Sequence, residues 1–167
     1  VITVISNKSK SNLQNTIELL AKVKRELRAN SIAKEICKEY GFGTDIIDGI
    51  SFEFVDNLEA SAKTIDSAIQ LNSSLMDEEF ETIMRYAIHE LVHSLQHMKL
   101  KGLESLEEQD YLDRGDEIEA FQYQIEYEAD ERGFDEAEDY VEDLIEYHEI
   151  PIENREEKKR ELLEKTQ

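Results

Sequence analysis

An α+β domain is what the order of residues in this chain points to, on three observations. Apolar residues recur at three- and four-residue steps from Asn12 to Tyr40 and again beyond Asp77, the period of helices with one buried face. Between Thr44 and Ser74 the pattern changes to short β-branched and aromatic runs cut by Gly, Asn, Asp and Ser, which reads as strands and turns. A length of 167 residues with 40% hydrophobic content supplies one core and not two. Helix, small sheet, then helices is an α+β order.

The elements follow in turn. Val1 to Ile5 alternates apolar residues with Thr3, and the polar cluster SNKSKSN comes next, so a short strand is expected there. Leu13, Ile17, Leu20, Val23, Leu27, Ile32, Ile36 and Cys37 mark a long helix, or two in tandem, ending at Gly41 and Gly43. The runs IIDGISFEFVDN and KTIDSAIQLNSS read as two or three short strands. From Asp77 an acid-rich first turn leads into Phe80, Ile83, Met84, Ala87, Ile88, Leu91, Val92 and Leu95, predicting a central helix that runs toward Gly102. Two acidic helices are expected near Asp116 to Glu131 and Asp135 to Glu149. The single proline, Pro151, divides a domain of residues 1–150 from residues 151–167. The latter read as a charged C-terminal helix or tail, solvated and prone to fray, because charges at helical spacing leave few apolar anchors.

Charge narrows the choice of partner. Nineteen Lys and Arg against forty Asp and Glu give a net charge of −21, which repels phosphate-rich polymers and anionic membranes. No nucleic acid and no membrane are therefore expected as partners. The charge is also polarised, with eight basic residues against four acids in residues 1–40 and twenty acids against Arg114 and Arg132 in residues 104–150. The two regions attract each other within the fold, or the acidic one receives a basic partner or substrate. Cys37 is the one cysteine, which excludes an intrachain disulfide and any cysteine-cluster metal site and leaves a small buried hydrophobe. No run reaches the roughly 18 to 20 apolar residues of a membrane span, and the start of the chain lacks the order of a signal peptide. A cytoplasmic setting is expected.

The chemistry is carried by His89-Glu90-Leu91-Val92-His93, an H-E-x-x-H pattern inside the central helical period. Imidazoles four residues apart share one helical face and can bind one Zn²⁺ at about 2.0–2.1 Å. Glu90, beside them, can accept a proton from a water that the ion acidifies. Two buried histidines with a glutamate between them would otherwise need partners for four ring nitrogens and a charge. Catalytic zinc usually takes a third protein ligand. His97 shares the helical face but lies about 12 Å along the axis from His89, out of reach of the same ion, and reads as a surface residue or one that supports a ligand from behind. His148, far along the chain, reads as structural, with a lesser claim as a ligand or a polariser of a substrate carbonyl. A carboxylate of the next helix is left, and Glu117 and Glu119 both fall in its first turns.

The stretch Glu117-Ile118-Glu119-Ala120, with Tyr111-Leu112-Asp113-Arg114-Gly115-Asp116 before it, resembles the zincin metallopeptidases of the branch whose third zinc ligand is a downstream glutamate. It is similar in particular to small bacterial and phage H-E-x-x-H proteins that carry Y-L-x-R-P-x-E-I-x-A. The likeness spans roughly residues 64 to 125 and implies a minimal zincin-like fold. It further implies a zinc-dependent metallopeptidase in which His89, His93 and Glu117 hold Zn²⁺ and Glu90 acts as general base, with the host cytoplasm as the setting if the chain is phage-encoded. An edge strand, TIDSAIQLN, would pair with a peptide or protein substrate. Glu119 remains the rival ligand, two residues away. Gly115 stands where the pattern has proline. Phe121 stands where many zincins place an Asp or Asn that orients a histidine, so that support must come from elsewhere. Tyr111, Tyr123 and Tyr127 flank the ligand helix and could donate to an oxyanion, although tyrosines so placed usually pack. Arg114-Gly115-Asp116 spells an integrin-type tripeptide by coincidence. The alternative is an inactive zincin-fold binding or structural protein that keeps metal for stability while its acidic face engages a basic partner. A weaker one is a nucleic-acid mimic.

Overall fold

A computed structural model describes residues 2–99 and 114–166, with side chains from Asn12 onward. The chain is mostly helical with one three-stranded sheet, an α+β arrangement. Helix α1 runs Ile2–Ala29 and α2 runs Ser31–Glu39, so the expected long helix is two in tandem. Asn30 divides them: its side chain accepts from the backbone N–H groups of Ile32 at 2.9 Å and Ala33 at 3.1 Å, an N-cap that satisfies two otherwise unpaired donors. The strand expected at Val1 to Ile5 is corrected, since α1 already begins at Ile2. No Gly or Pro interrupts SNKSKSN, and the three described strands all begin at Phe52 or later. Leu13 and Ile17 are exposed, and the buried face of α1 includes Val23 and Leu27.

Strands β1 (Phe52–Val55), β2 (Ala62–Ile65) and β3 (Ala68–Asn72) follow. Their order is β1-β3-β2, with β1 parallel and β2 antiparallel to β3. The stretch TIDSAIQLN is not one edge strand. It is the end of β2, a turn at Asp66 and Ser67, and all of β3, which lies in the middle of the sheet. The cause is local: Asp66 and Ser67 take φ of 49° and 72°, the left-handed pair of a two-residue hairpin turn that suits the twist of its strands. β2 is an edge strand of the sheet, as is β1 on the other side of β3. Ser94, fully buried on the central helix, donates from its hydroxyl to the Ser67 carbonyl at 2.6 Å and pins that turn.

Helix α3 (Phe80–Lys99) is the central helix; its expected extension toward Gly102 lies outside the described residues, as do Tyr111, Leu112 and Asp113. Helices α4 (Gly115–Arg132) and α5 (Phe134–Tyr147) are the two acidic helices, and Gly133, at φ +97°, makes the sharp corner between them. Ile69 and Leu71 of β3, Phe52 of β1, the apolar face of α3, and Ala120, Tyr123 and Tyr127 of α4 form the main core with Val23, Ile32 and Ile36. Cys37 belongs to it, at 1% exposure.

The expectation of one core is corrected by a second, smaller cluster, which joins Phe121 and Ile125 of α4 to Ala137, Val141 and Ile145 of α5, and to Leu162 and Leu163; the opposite faces of α4 serve the two. Residues 151–167 therefore hold the expected charged helix, α6 (Arg155–Leu162), but it is docked: Leu162 is fully buried. Gln122 of α4 also donates to the Glu161 carbonyl at 2.9 Å. Among the described residues no helix is long and apolar enough to cross a membrane.

Candidate metal centre

His89 and His93 stand one turn apart on α3, buried and part-buried, with Nε2 atoms 3.1 Å apart. Glu117, two residues into α4 and 6% exposed, brings Oε2 to 3.3 Å from His89 Nε2 and Oε1 to 3.1 Å from His93 Nε2. Ala120 allows that approach; it is fully buried in the core that joins α4 to α3. Bonds of 2.0–2.1 Å to tetrahedral zinc put ligand atoms about 3.3 Å apart, so the triangle of two nitrogens and one carboxylate has the size of a zinc tetrahedron face. Glu117 Oε2 is buried without a hydrogen bond. An unpaired buried carboxylate oxygen is costly, and a cation would resolve that cost. The residues present fit a divalent metal.

Glu119 does not join them. It lies on another side of α4, where its Oε2 accepts from the Tyr40 hydroxyl at 2.6 Å and the Gln96 amide at 3.5 Å. A step of two residues turns a helix by about 200°, which separates the two glutamates. His97 is exposed and 4.0 Å from Asp66, away from the triad. His148 caps the end of α5; burial lowers its pKa, while the charge of Glu117 works in the opposite direction.

Electrostatics within the triad are strong. Burial alone would raise the Glu117 carboxyl, but its close contacts with His89 and His93, and the charge those rings can carry, outweigh it and hold the group well below the usual carboxylate range. Burial alone would lower His93, yet its bond to Glu117 and the charges of Glu117 and Glu90 raise it to about 9. The pocket thus favours positive charge. Glu90 is 7% exposed, and its Oε2 accepts from the Thr64 hydroxyl of β2 at 2.6 Å. The edge strand thereby holds this carboxylate in place.

Sequence reasoning missed Thr64, Gln96 and Gln124. Gln124 Oε1 lies 2.8 Å from His89 Nδ1, and Gln96 Oε1 lies 2.8 Å from His93 Nδ1. Phe121 packs its ring edge-on to His89 at 4.6 Å, and the polar support comes instead from the same helix one turn later. The available signal was spacing: Gln96 follows His93 by three residues and Gln124 follows Glu117 by seven, so each shares a face with a ligand candidate. Tyr123 and Tyr127 are core residues. Arg114 and Asp116 bond to each other, at 2.8 and 3.3 Å, so the integrin-like tripeptide is the first turn of α4.

No family model, curated protein or solved structure matches this chain. What the site can do rests on its own atoms.

Proposed function

We propose that this protein is a zinc-dependent metallopeptidase in which His89, His93 and Glu117 hold the ion and Glu90 is the general base. The single observation that carries the reading is the convergence of His89 Nε2, His93 Nε2 and a Glu117 oxygen at 3.1–3.3 Å beside a buried carboxylate on the same helix. Zinc bound there would lower the pKa of a coordinated water to about 7 and polarise a scissile carbonyl. Glu90 takes the proton from the attacking water and returns it to the leaving amine. Thr64 occupies Glu90 Oε2 and leaves the other carboxylate oxygen to do this. The outer edge of β2, which has no strand partner among the described residues and whose Thr64 holds the base, is suited to align an extended peptide. The net charge of −21 favours a basic peptide or protein.

Replacing Glu90 with Gln should abolish cleavage of a peptide library while zinc stays stoichiometric by elemental analysis. His93→Ala should lose the zinc. Cleavage that survives in Glu90→Gln removes the mechanism, and a wild-type chain that takes up no zinc removes the metal. The buried triad would equally serve an ion held for stability alone, with the acidic helices engaging a basic partner. Zinc uptake without cleavage by the wild-type chain selects that reading.

A further inference from the structure

We propose that Gln96 and Gln124 are positioning residues that fix the tautomer of both histidines, keeping each proton on Nδ1 and freeing both Nε2 lone pairs for one cation. The inference rests on the metal-binding half of the reading above and is independent of hydrolysis.

A glutamine carbonyl oxygen can only accept, so the ring nitrogen facing it must carry hydrogen. Gln124 Oε1 faces His89 Nδ1 and Gln96 Oε1 faces His93 Nδ1, both at 2.8 Å. The orientation of Gln96 is dictated by its other end: its Nε2 donates at 3.2 Å to the Asp116 carbonyl, an atom that cannot donate back. The same amide reaches Glu119, which Tyr40, just past the end of α2, holds. Gln124 is 1% exposed, and its Nε2 donates at 2.7 Å to the Tyr140 hydroxyl of α5. Each imidazole is thus tied to a buried amide that is anchored on another helix.

The consequence concerns the inner atoms. When each ring is neutral and its proton sits on Nδ1, two bare nitrogens 3.1 Å apart and the Glu117 carboxylate point toward one another. Three electron-rich atoms at such separations repel unless positive charge lies among them. A proton can bridge only two of them, whereas a divalent ion satisfies all three. A neutral amide selects the tautomer without adding negative charge to a buried site, as a carboxylate there would. The Gln96 chain also explains why Glu119, although next to the site, is committed elsewhere.

The test uses the full chain and zinc alone. Competition with a chelator should show Gln96→Leu and Gln124→Leu each weakening zinc by roughly 10–100-fold, with Gln124→Glu restored to near the wild-type value because a carboxylate also accepts from Nδ1. Long-range ¹H–¹⁵N spectra of the zinc-loaded wild type should show Nδ1–H on both His89 and His93, with zinc on Nε2. Gln124→Leu should disturb the His89 signal and Gln96→Leu the His93 signal. Wild-type rings that bind through Nδ1, or leucine variants within twofold of wild type, would overturn this proposal alone. A wild-type chain that takes up no zinc would instead overturn the reading of the previous subsection. The wild-type spectrum decides even if a leucine variant fails to fold.

Discussion

Glu126 shows at the scale of one residue how an acidic chain stores conflict. Burial, then the charges of Glu35 and Asp130, raise its pKa to about 7, against a smaller opposing pull from Lys165. Its Oε2 is buried without a partner. The folded state therefore holds a proton that the unfolded chain releases near pH 4.5. Stability contributed by this residue falls as pH rises from about 4.5 to 7, and the penalty is complete above that window. Glu126→Gln should leave the melting temperature unchanged at pH 4 and raise it at pH 8, by on the order of 1 kcal/mol or ~3 °C. Thermal melts at the two pH values check this, and an equal gain at both would exclude the titration. Residue-scale legibility was uneven. His89 and His93 announce themselves because two imidazoles and an acid are rare on an apolar face. Gln96 and Gln124 do not, since a neutral amide is ordinary on any helix until its partner across the interface is known.

Among the elements, α4 has the start most open to improvement. Arg114 before it is extended, at φ −73° and ψ 125°, the backbone that a following proline requires. Gly115 is the first helical residue, and a Cβ there would meet nothing within 4 Å. Proline is favoured at this position because the N–H it lacks has no partner inside the helix. Gly115→Pro should stabilise the protein by about 0.5–1 kcal/mol through a less flexible unfolded chain, read as a higher midpoint in urea. A lower midpoint would mean that the turn needs glycine. The helices and their order were legible because periodicity over ten or more residues is a strong signal. The hairpin was not, because Asp66 suits a turn that asks for positive φ twice but Ser67 stands where such a turn usually has glycine. What holds them is the Ser94 hydroxyl, 27 residues away, which no local pattern reveals. The strand read at Val1 to Ile5 failed for the opposite reason: five alternating residues weigh little against a continuing helix.

Across the whole molecule α4 is the member shared by both cores. The terminal helix looked expendable because its charges dominate the pattern, yet two adjacent leucines bury themselves in the second cluster and polar contacts from Gln122 and Lys159 add to them. Leu162→Ala should cost ~3 kcal/mol and lower the melting temperature by about 10 °C. An unchanged melt would mean that α6 is not integral to the fold. The surplus of acid stays compatible with folding because cations are set among the carboxylates: Arg132 with Glu79 and Glu128, Lys159 with Glu138 and Glu142. The tight hairpin has a wider effect. Side chains alternate across a strand, so Thr64 can meet Glu90 only while Lys63 and Ile65 look the other way, as their paired β3 residues Gln70 and Ala68 require. The two-residue turn is in this sense a ruler for the chemistry. Lengthening or shortening it by one residue would present an ammonium or an alkyl group to the base in place of a hydroxyl, with every residue of the triad untouched.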